Sequence, residues 1–74
     1  MEDFIKYFSE LLERDFDLIK PEDAFREYDQ WDSLALLGLG AMIDEQYGIV
    51  IPRKEFEKIL TVQQLYDHIT SNMS

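Results

Sequence analysis

Apolar residues recur at helical spacing in three separate segments of this chain, and this pattern is what most limits its fold. A helix that buries one face places its apolar side chains three or four residues apart. The segments cover about residues 2 to 14, about residues 33 to 47, and a last stretch that begins at Val62. Their apolar residues are Phe4, Ile5, Phe8, Leu11 and Leu12; Leu36, Leu39, Ile43 and Tyr47, widened by Leu37 and Met42; and Val62, Leu65, Tyr66 and Ile69.

The second segment carries clear end signals. Gly48 stands where a helix commonly ends in a left-handed residue. At the start, two residues compete for the N-cap. If Asp32 is the cap, Trp31 and Leu36 form a hydrophobic staple, and Ser33 lies in the first turn with its hydroxyl outward. If Ser33 is the cap, its hydroxyl accepts backbone N–H groups instead. The staple favours Asp32.

The stretch from residue 15 to residue 31 has no clean period. It is rich in acidic residues and contains scattered aromatic residues. We predict a long loop that its aromatic side chains hold on the core, because long loops in small domains are uncommon without a reason. A short helical turn near residues 22–26 is compatible with Pro21 at its start.

The remaining chain predicts a short helix followed by a long one. Residues 49–52 have the composition of a single strand with nothing to pair with, so we predict an extended connector. Pro52 then begins a short helix. Thr61 and Gln64 form the capping box of the last helix, and residues 70–74 are expected to fray. The prediction is an all-α, small four-helix bundle, three main helices plus one short helix, as one domain over residues 1–74.

The charge balance restricts the partners. Sixteen acidic residues against seven basic ones give a net charge of −9. Nucleic acids and anionic membrane surfaces are therefore disfavoured, and proteins with basic patches are favoured. No apolar run approaches the ~18 residues that span a bilayer, and the acidic N-terminus lacks the basic region of a signal peptide. We expect a cytoplasmic monomer without membrane insertion.

The sequence offers little for catalysis, so we expect no enzyme and no metal site. The one histidine, His68, has no serine or cysteine at a meaningful spacing. Asp15 and Asp17 open like a calcium loop, but Ile19 and Lys20 stand where a third acid or Asn and the turn glycine are needed. The chain has no cysteine and no glycine-rich phosphate loop.

One face of the second helix is nearly free of bulky side chains. Gly38 shares this face with Leu34, Ala41 and Glu45, and Asp44 adds a further negative charge. Glycine is less favourable than alanine by roughly 1 kcal/mol inside a helix, so Gly38 needs a reason. One reason is close packing against the first helix or the loop. The other is a surface where a protein docks, which we call the predicted contact surface (Leu34, Gly38, Ala41, Asp44 and Glu45). The opposite stripe predicts that Leu39 and Ile43 are buried.

Four stretches in this order resemble the acyl carrier proteins. They are Asp32-Ser33-Leu34, the helix end at residues 44–48, the apolar residues 49–52 and the pattern over residues 56–69. The resemblance covers essentially the whole chain. It implies that Ser33 carries 4′-phosphopantetheine through a phosphodiester, transferred from coenzyme A by a Mg²⁺-dependent phosphopantetheinyl transferase. The terminal thiol of this arm would hold acyl groups as thioesters for the loading, synthase and transferase enzymes of fatty-acid or polyketide-type biosynthesis.

The sequence also departs from the fatty-acid type of carrier. Gln30 replaces a glycine and Trp31 replaces a small residue, while Ala35 and Gly38 stand where acidic residues are usual. These departures favour a specialised stand-alone carrier serving a polyketide, aminoacyl or cell-surface pathway. An aminoacyl carrier of the D-alanyl or peptidyl type is one alternative. The other is a non-covalent acidic helical interaction module in which Ser33 acts only as a cap.

Overall fold

A computed structural model describes residues 1–73 of the chain as a set of helices. They are α1 (Glu2–Leu12), α2 (Ser33–Tyr47), α3 (Arg53–Phe56) and α4 (Val62–Asn72). Two 3-10 turns, Phe16–Leu18 and Phe25–Glu27, lie in the segment between α1 and α2. Residues 1–73 contain no strand. The predicted all-α fold with three main helices and one short helix is confirmed.

The three long helices share one core. At most 2% of each side chain is exposed for its main contributors, which are Phe4 and Phe8 of α1, Leu39 and Ile43 of α2, and Leu65 and Ile69 of α4. Complete burial of a side chain of this size stabilises a fold by about 1.5–3 kcal/mol. The predicted burial of Leu39 and Ile43 is confirmed.

The side of α2 that faces the core is narrower than predicted. Leu36 and Leu37 are 42% and 71% exposed, so they do not belong to the buried stripe. Ala35 is buried in their place, and it forms a line with Leu39 and Ile43 at spacings of four residues. The prediction was wrong here because apolar residues surround this part of α2 on every side. A helix of that composition has no periodicity from which its rotation can be inferred.

α1 ends at Leu12, two residues before the predicted end. Glu13 adopts a left-handed conformation with φ 55° and ψ 38°. The N–H of Arg14 donates to the carbonyl of Ser9, which closes the end of the helix at a distance of 3.0 Å. A left-handed residue followed by this backward hydrogen bond is a common helix end, and here a glutamate occupies the place where glycine is usual.

The segment before α2 contains a helical turn, but not where it was predicted. The turn covers Phe25–Glu27 instead of residues 22–26, and Pro21 does not begin it. Pro21 and Asp23 instead use their backbone carbonyls to accept hydrogen bonds from Gln63 at 2.8 Å and from Val62 at 3.0 Å. The loop therefore provides backbone hydrogen-bond acceptors for two N–H groups in the first turn of α4.

The predicted capping box of α4 is confirmed. The hydroxyl of Thr61 accepts from the N–H of Gln64, and the side chain of Gln64 accepts from the N–H of Thr61. At the other end, α4 continues to Asn72, within residues 70–74 for which fraying is predicted. The amide of Asn72 donates to the carbonyl of His68 at 2.8 Å, which extends the last turn. Ser74 lies outside the described residues.

Within residues 1–73, none of the helices combines the length and apolar composition that crossing a lipid bilayer requires.

Candidate functional site

The start of α2 is capped by Asp32. Its backbone is extended, and its carboxylate accepts a hydrogen bond from the N–H of Ala35 at 2.8 Å. Its carbonyl accepts the first helical bond, from the N–H of Leu36 at 3.0 Å. This confirms Asp32 as the N-cap. The first turn is thus capped without the hydroxyl of Ser33.

Ser33 is the first residue of α2, and it is exposed to solvent. The bonds that Asp32 receives come from Ala35 and Leu36, so the N–H groups of Ser33 and Leu34 lie outside this cap. The N-terminus of a helix also carries a partial positive charge. A phosphate ester on the Ser33 hydroxyl would be near these N–H groups, which is a favourable environment for an anion. The site therefore fits a phosphate-linked group, and another protein can reach it.

Trp31, two residues before Ser33, is anchored in a cluster of aromatic rings. Its indole stacks on Phe56 with the centroids 6.4 Å apart and the planes at 22°. Edge contacts join it to Phe25 at 5.1 Å and Phe8 at 6.5 Å. The chain that enters α2 is therefore fixed to the core and to α3 directly before Ser33. Sequence reasoning had assigned Trp31 only a staple with Leu36, since the partners in this cluster are distant in sequence.

A polar cluster holds the loop that leads to Trp31. The guanidinium of Arg14 lies 4.1 Å from the ring centroid of Tyr28, and it donates to the amide oxygen of Gln30 at 3.1 Å. The hydroxyl of Tyr28 donates to the carboxylate of Asp23 at 2.6 Å, and the N–H of Lys20 donates to the same oxygen at 3.0 Å. The bond from Tyr28 lowers the pKa of Asp23. Burial, and then the bond to Asp23, raise the pKa of Tyr28.

The predicted contact surface divides into two parts in the structure. Leu34 is 77% exposed, and Ala41, Asp44 and Glu45 are also exposed. Gly38 instead faces α1, where a Cβ atom would overlap with the Cδ1 atom of Leu11. Close packing on the first helix, the alternative explanation for this glycine, is therefore the one that its surroundings favour.

An open groove of about 650 Å³ lies between α2, the connector at residues 49–52 and α3. Its walls include the side chains of Trp31, Leu36, Leu37, Val50 and Phe56 together with Gly40. Asp44, Arg53 and Glu57 add charged groups to the lining, and all three residues are exposed. Sequence reasoning missed this groove. The exposed Leu36 and Leu37, which were assigned to the core, were the signal for it.

Arg26 holds the end of α3 against the loop. Its guanidinium donates to the carbonyl of Phe56 at 2.7 Å and also to the carbonyl of Ile59. It also covers the rings of Phe56 and Phe25, at 4.7 and 5.0 Å from their centroids. A helix of four residues has few backbone hydrogen bonds of its own, from Phe56 to Pro52 at 2.9 Å and from Glu57 to Arg53 at 3.0 Å. The contacts of Arg26 therefore help to fix the position of α3 and one side of the groove.

Two comparisons identify the family. Residues 2–69 match the protein family described as "Phosphopantetheine attachment site". The chain is also similar to an acyl carrier protein of Rubrobacter xylanophilus, with 38% identity over 56 residues, which covers 76% of this chain and 69% of the relative. The chain therefore belongs to the acyl carrier protein family, whose covalent cofactor is 4′-phosphopantetheine.

Proposed function

We propose that the Ser33 hydroxyl is the attachment point for 4′-phosphopantetheine and that the chain carries acyl thioesters between enzymes without itself being an enzyme. The observation that supports this most directly is that the cap of α2 and the candidate attachment point are two different residues. Asp32 makes the cap bond, and the adjacent Ser33 is exposed at the N-terminus of the helix.

The attachment reaction balances with coenzyme A as the donor. The Ser33 oxygen forms a bond to phosphorus while the phosphoanhydride bond of coenzyme A breaks, and 3′,5′-ADP leaves. The hydroxyl proton goes to a base of the transferase. The product phosphodiester keeps a negative charge, which a helix N-terminus typically stabilises by about 0.3–1 kcal/mol. The arm supplies a thiol that forms thioesters, and the chain has no cysteine to compete with it.

The partners would be the phosphopantetheinyl transferase and the loading, synthase and transferase enzymes that use the arm. Exposed residues of α2 support a docking surface beside Ser33. The helix presents apolar side chains and two carboxylates to solvent, from Leu34, Ala41, Asp44 and Glu45. Leu37, which is 71% exposed, extends this surface toward the groove. Basic patches on the partners would be attracted by the carboxylates, which accelerates encounter without requiring tight binding.

The apolar lining of the groove favours an acyl cargo of the fatty-acid or polyketide type rather than an aminoacyl cargo. It runs along α2, the helix that begins at Ser33, and its walls are mainly leucine, isoleucine, valine and aromatic side chains. A hydrocarbon chain gains about 0.8 kcal/mol for each CH₂ group that it buries, whereas a small charged aminoacyl group gains little. We therefore propose that the hydrocarbon part of the cargo rests in this groove.

The test is a mass measurement. Incubation with coenzyme A, Mg²⁺ and a broad-specificity phosphopantetheinyl transferase should add one phosphopantetheine to the wild-type protein. Ser33→Ala should abolish the gain in mass, while Ser71→Ala, at an exposed serine far along the chain, should retain it. A folded wild-type protein that gains no mass would contradict the proposal and support a non-covalent interaction module.

A further inference from the structure

Gly40 lowers the stability of α2, and no packing contact among the described residues explains why a glycine is present there. Glycine inside a helix is less favourable than alanine by about 1 kcal/mol. Gly38, two residues earlier, has a reason, since a Cβ atom there would overlap with Leu11. Gly48 has another, because it ends α2 with a positive φ of 68°. Among residues 1–73, a Cβ atom on Gly40 would meet no heavy atom within 4 Å.

The position of Gly40 in the groove supplies the missing reason. Residues three and four positions away on a helix share its face. For Gly40 these are Leu36, Leu37, Ile43 and Asp44, and all four line the groove together with Gly40 itself. Gly40 is thus at the centre of the wall that α2 contributes. A side chain at this position would project into open space that the groove now provides.

We propose that Gly40 determines specificity, because its missing side chain sets the size of the acyl group that the groove admits. This inference rests on the proposed function at Ser33. Gly40 lies seven residues after Ser33, or about 10 Å along the helix axis, so the groove is close to the point where the arm begins. The stacked rings of Trp31 and Phe56 also line the groove, so the indole forms part of the surface that the cargo meets.

The experiment compares two cargoes on four proteins. The wild type, Gly40→Ala, Gly40→Leu and Gln46→Leu are loaded at Ser33 from acetyl-coenzyme A or octanoyl-coenzyme A, and complete loading is verified by mass. Gln46→Leu is the matched control, because it adds the same side chain to an exposed position of α2 that does not line the groove. Two quantities are measured for each form, the unfolding midpoint and the rate at which hydroxylamine cleaves the thioester.

In the wild type, the octanoyl form should unfold at a higher temperature than the acetyl form and should react more slowly with hydroxylamine. Both differences should be retained in Gln46→Leu, be reduced in Gly40→Ala and disappear in Gly40→Leu, where leucine fills the space of the cargo. The acetyl forms should react at similar rates in all four proteins.

Two outcomes would overturn the inference while the proposed attachment of the arm at Ser33 stands. One is a fully loaded Gly40→Leu protein, with the helical content of the wild type, that still protects the octanoyl thioester. The other is a loaded wild type in which octanoyl and acetyl forms behave alike. A wild type that accepts no arm would refute the proposed function itself, and the mass measurement would reveal this before any cargo is compared.

Discussion

The indole of Trp31 stacks on the ring of Phe56, with the planes at 22° and the centroids 6.4 Å apart. This contact joins the residue before the cap of α2 to the last residue of α3. Since Trp31 also touches Phe8 and Phe25, one side chain connects the candidate attachment site, the groove and the core. The stack therefore links the start of α2 to α3, the two helices that form opposite sides of the groove.

Trp31→Ala should lower the free energy of unfolding by about 3 kcal/mol. This is the lower end of the range for large aromatic side chains, and it applies because Trp31 is half-buried. Trp31→Phe should lose clearly less, because a ring remains to pack on Phe56. Urea unfolding followed by circular dichroism measures both values. Equal stability of the alanine variant and the wild type would show that the stack does not hold α3.

Asp32→Ala and Ser33→Ala should have different effects on stability. The loss of the Asp32 cap should cost about 1 kcal/mol, as is typical for such residues. Ser33→Ala should change stability by less than about 0.5 kcal/mol, since the exposed hydroxyl does not form the cap bond. Thermal unfolding of the unmodified proteins checks the pair. A larger loss for Ser33→Ala than for Asp32→Ala would mean that the serine is the cap.

The two glycines inside α2 should respond differently to alanine. Gly40→Ala should stabilise the protein by about 0.5–1 kcal/mol, because the new Cβ meets open space. Gly38→Ala should lose all or part of this gain, since Leu11 must leave its rotamer at a cost of about 0.5–1.5 kcal/mol.

A double-mutant cycle tests the cause. When Leu11 is first truncated to alanine, Gly38→Ala should become as favourable as Gly40→Ala. If Gly38→Ala instead gains the full amount in the wild-type background, Leu11 adapts freely, and the glycine at this position has no packing role.

The helix boundaries could be predicted from sequence to the extent that local residues determine them. The caps of α2 and α4 join residues that are three positions apart, so they are visible in the sequence. They are the bond from Ala35 to Asp32 and the capping box of Thr61 and Gln64. The rotation of α2 could not be predicted, because its apolar residues surround the helix. For this reason Leu36 and Leu37, which were predicted to face the core, are exposed, and the burial of Ala35 was not predicted.

The groove and the aromatic cluster were beyond sequence reasoning for a different reason. Both depend on where α3 packs, and α3 is a single turn held by contacts with distant residues. Trp31 is 25 positions from Phe56, and Arg26 is 30 positions from the same residue, whose carbonyl it binds. No local pattern in the sequence encodes such pairs. By contrast, the cap at Asp32 and the position of Ser33 depend only on the start of one helix, so they could be predicted from local residues. The attachment role of Ser33 is a prediction from the resemblance over four stretches of the chain.

The hydrogen bond between Tyr28 and Asp23 should make stability depend on pH in the acid range. The bond lowers the pKa of Asp23 in the folded state, so the folded protein binds its proton less readily than the unfolded chain does. The resulting stabilisation is complete above the unfolded pKa of about 3.9 and is lost as the pH falls through the lower folded value. Asp23→Asn should therefore be less stable than the wild type at pH 7, and the difference should shrink below about pH 4. Tyr28→Phe, which removes the same bond from the other side, should show the same trend.

Urea unfolding between pH 7 and pH 2.5 measures the stability of the wild type and both variants. A difference between wild type and Asp23→Asn that stays constant over this range would show that the carboxylate charge does not contribute to holding the loop before Ser33.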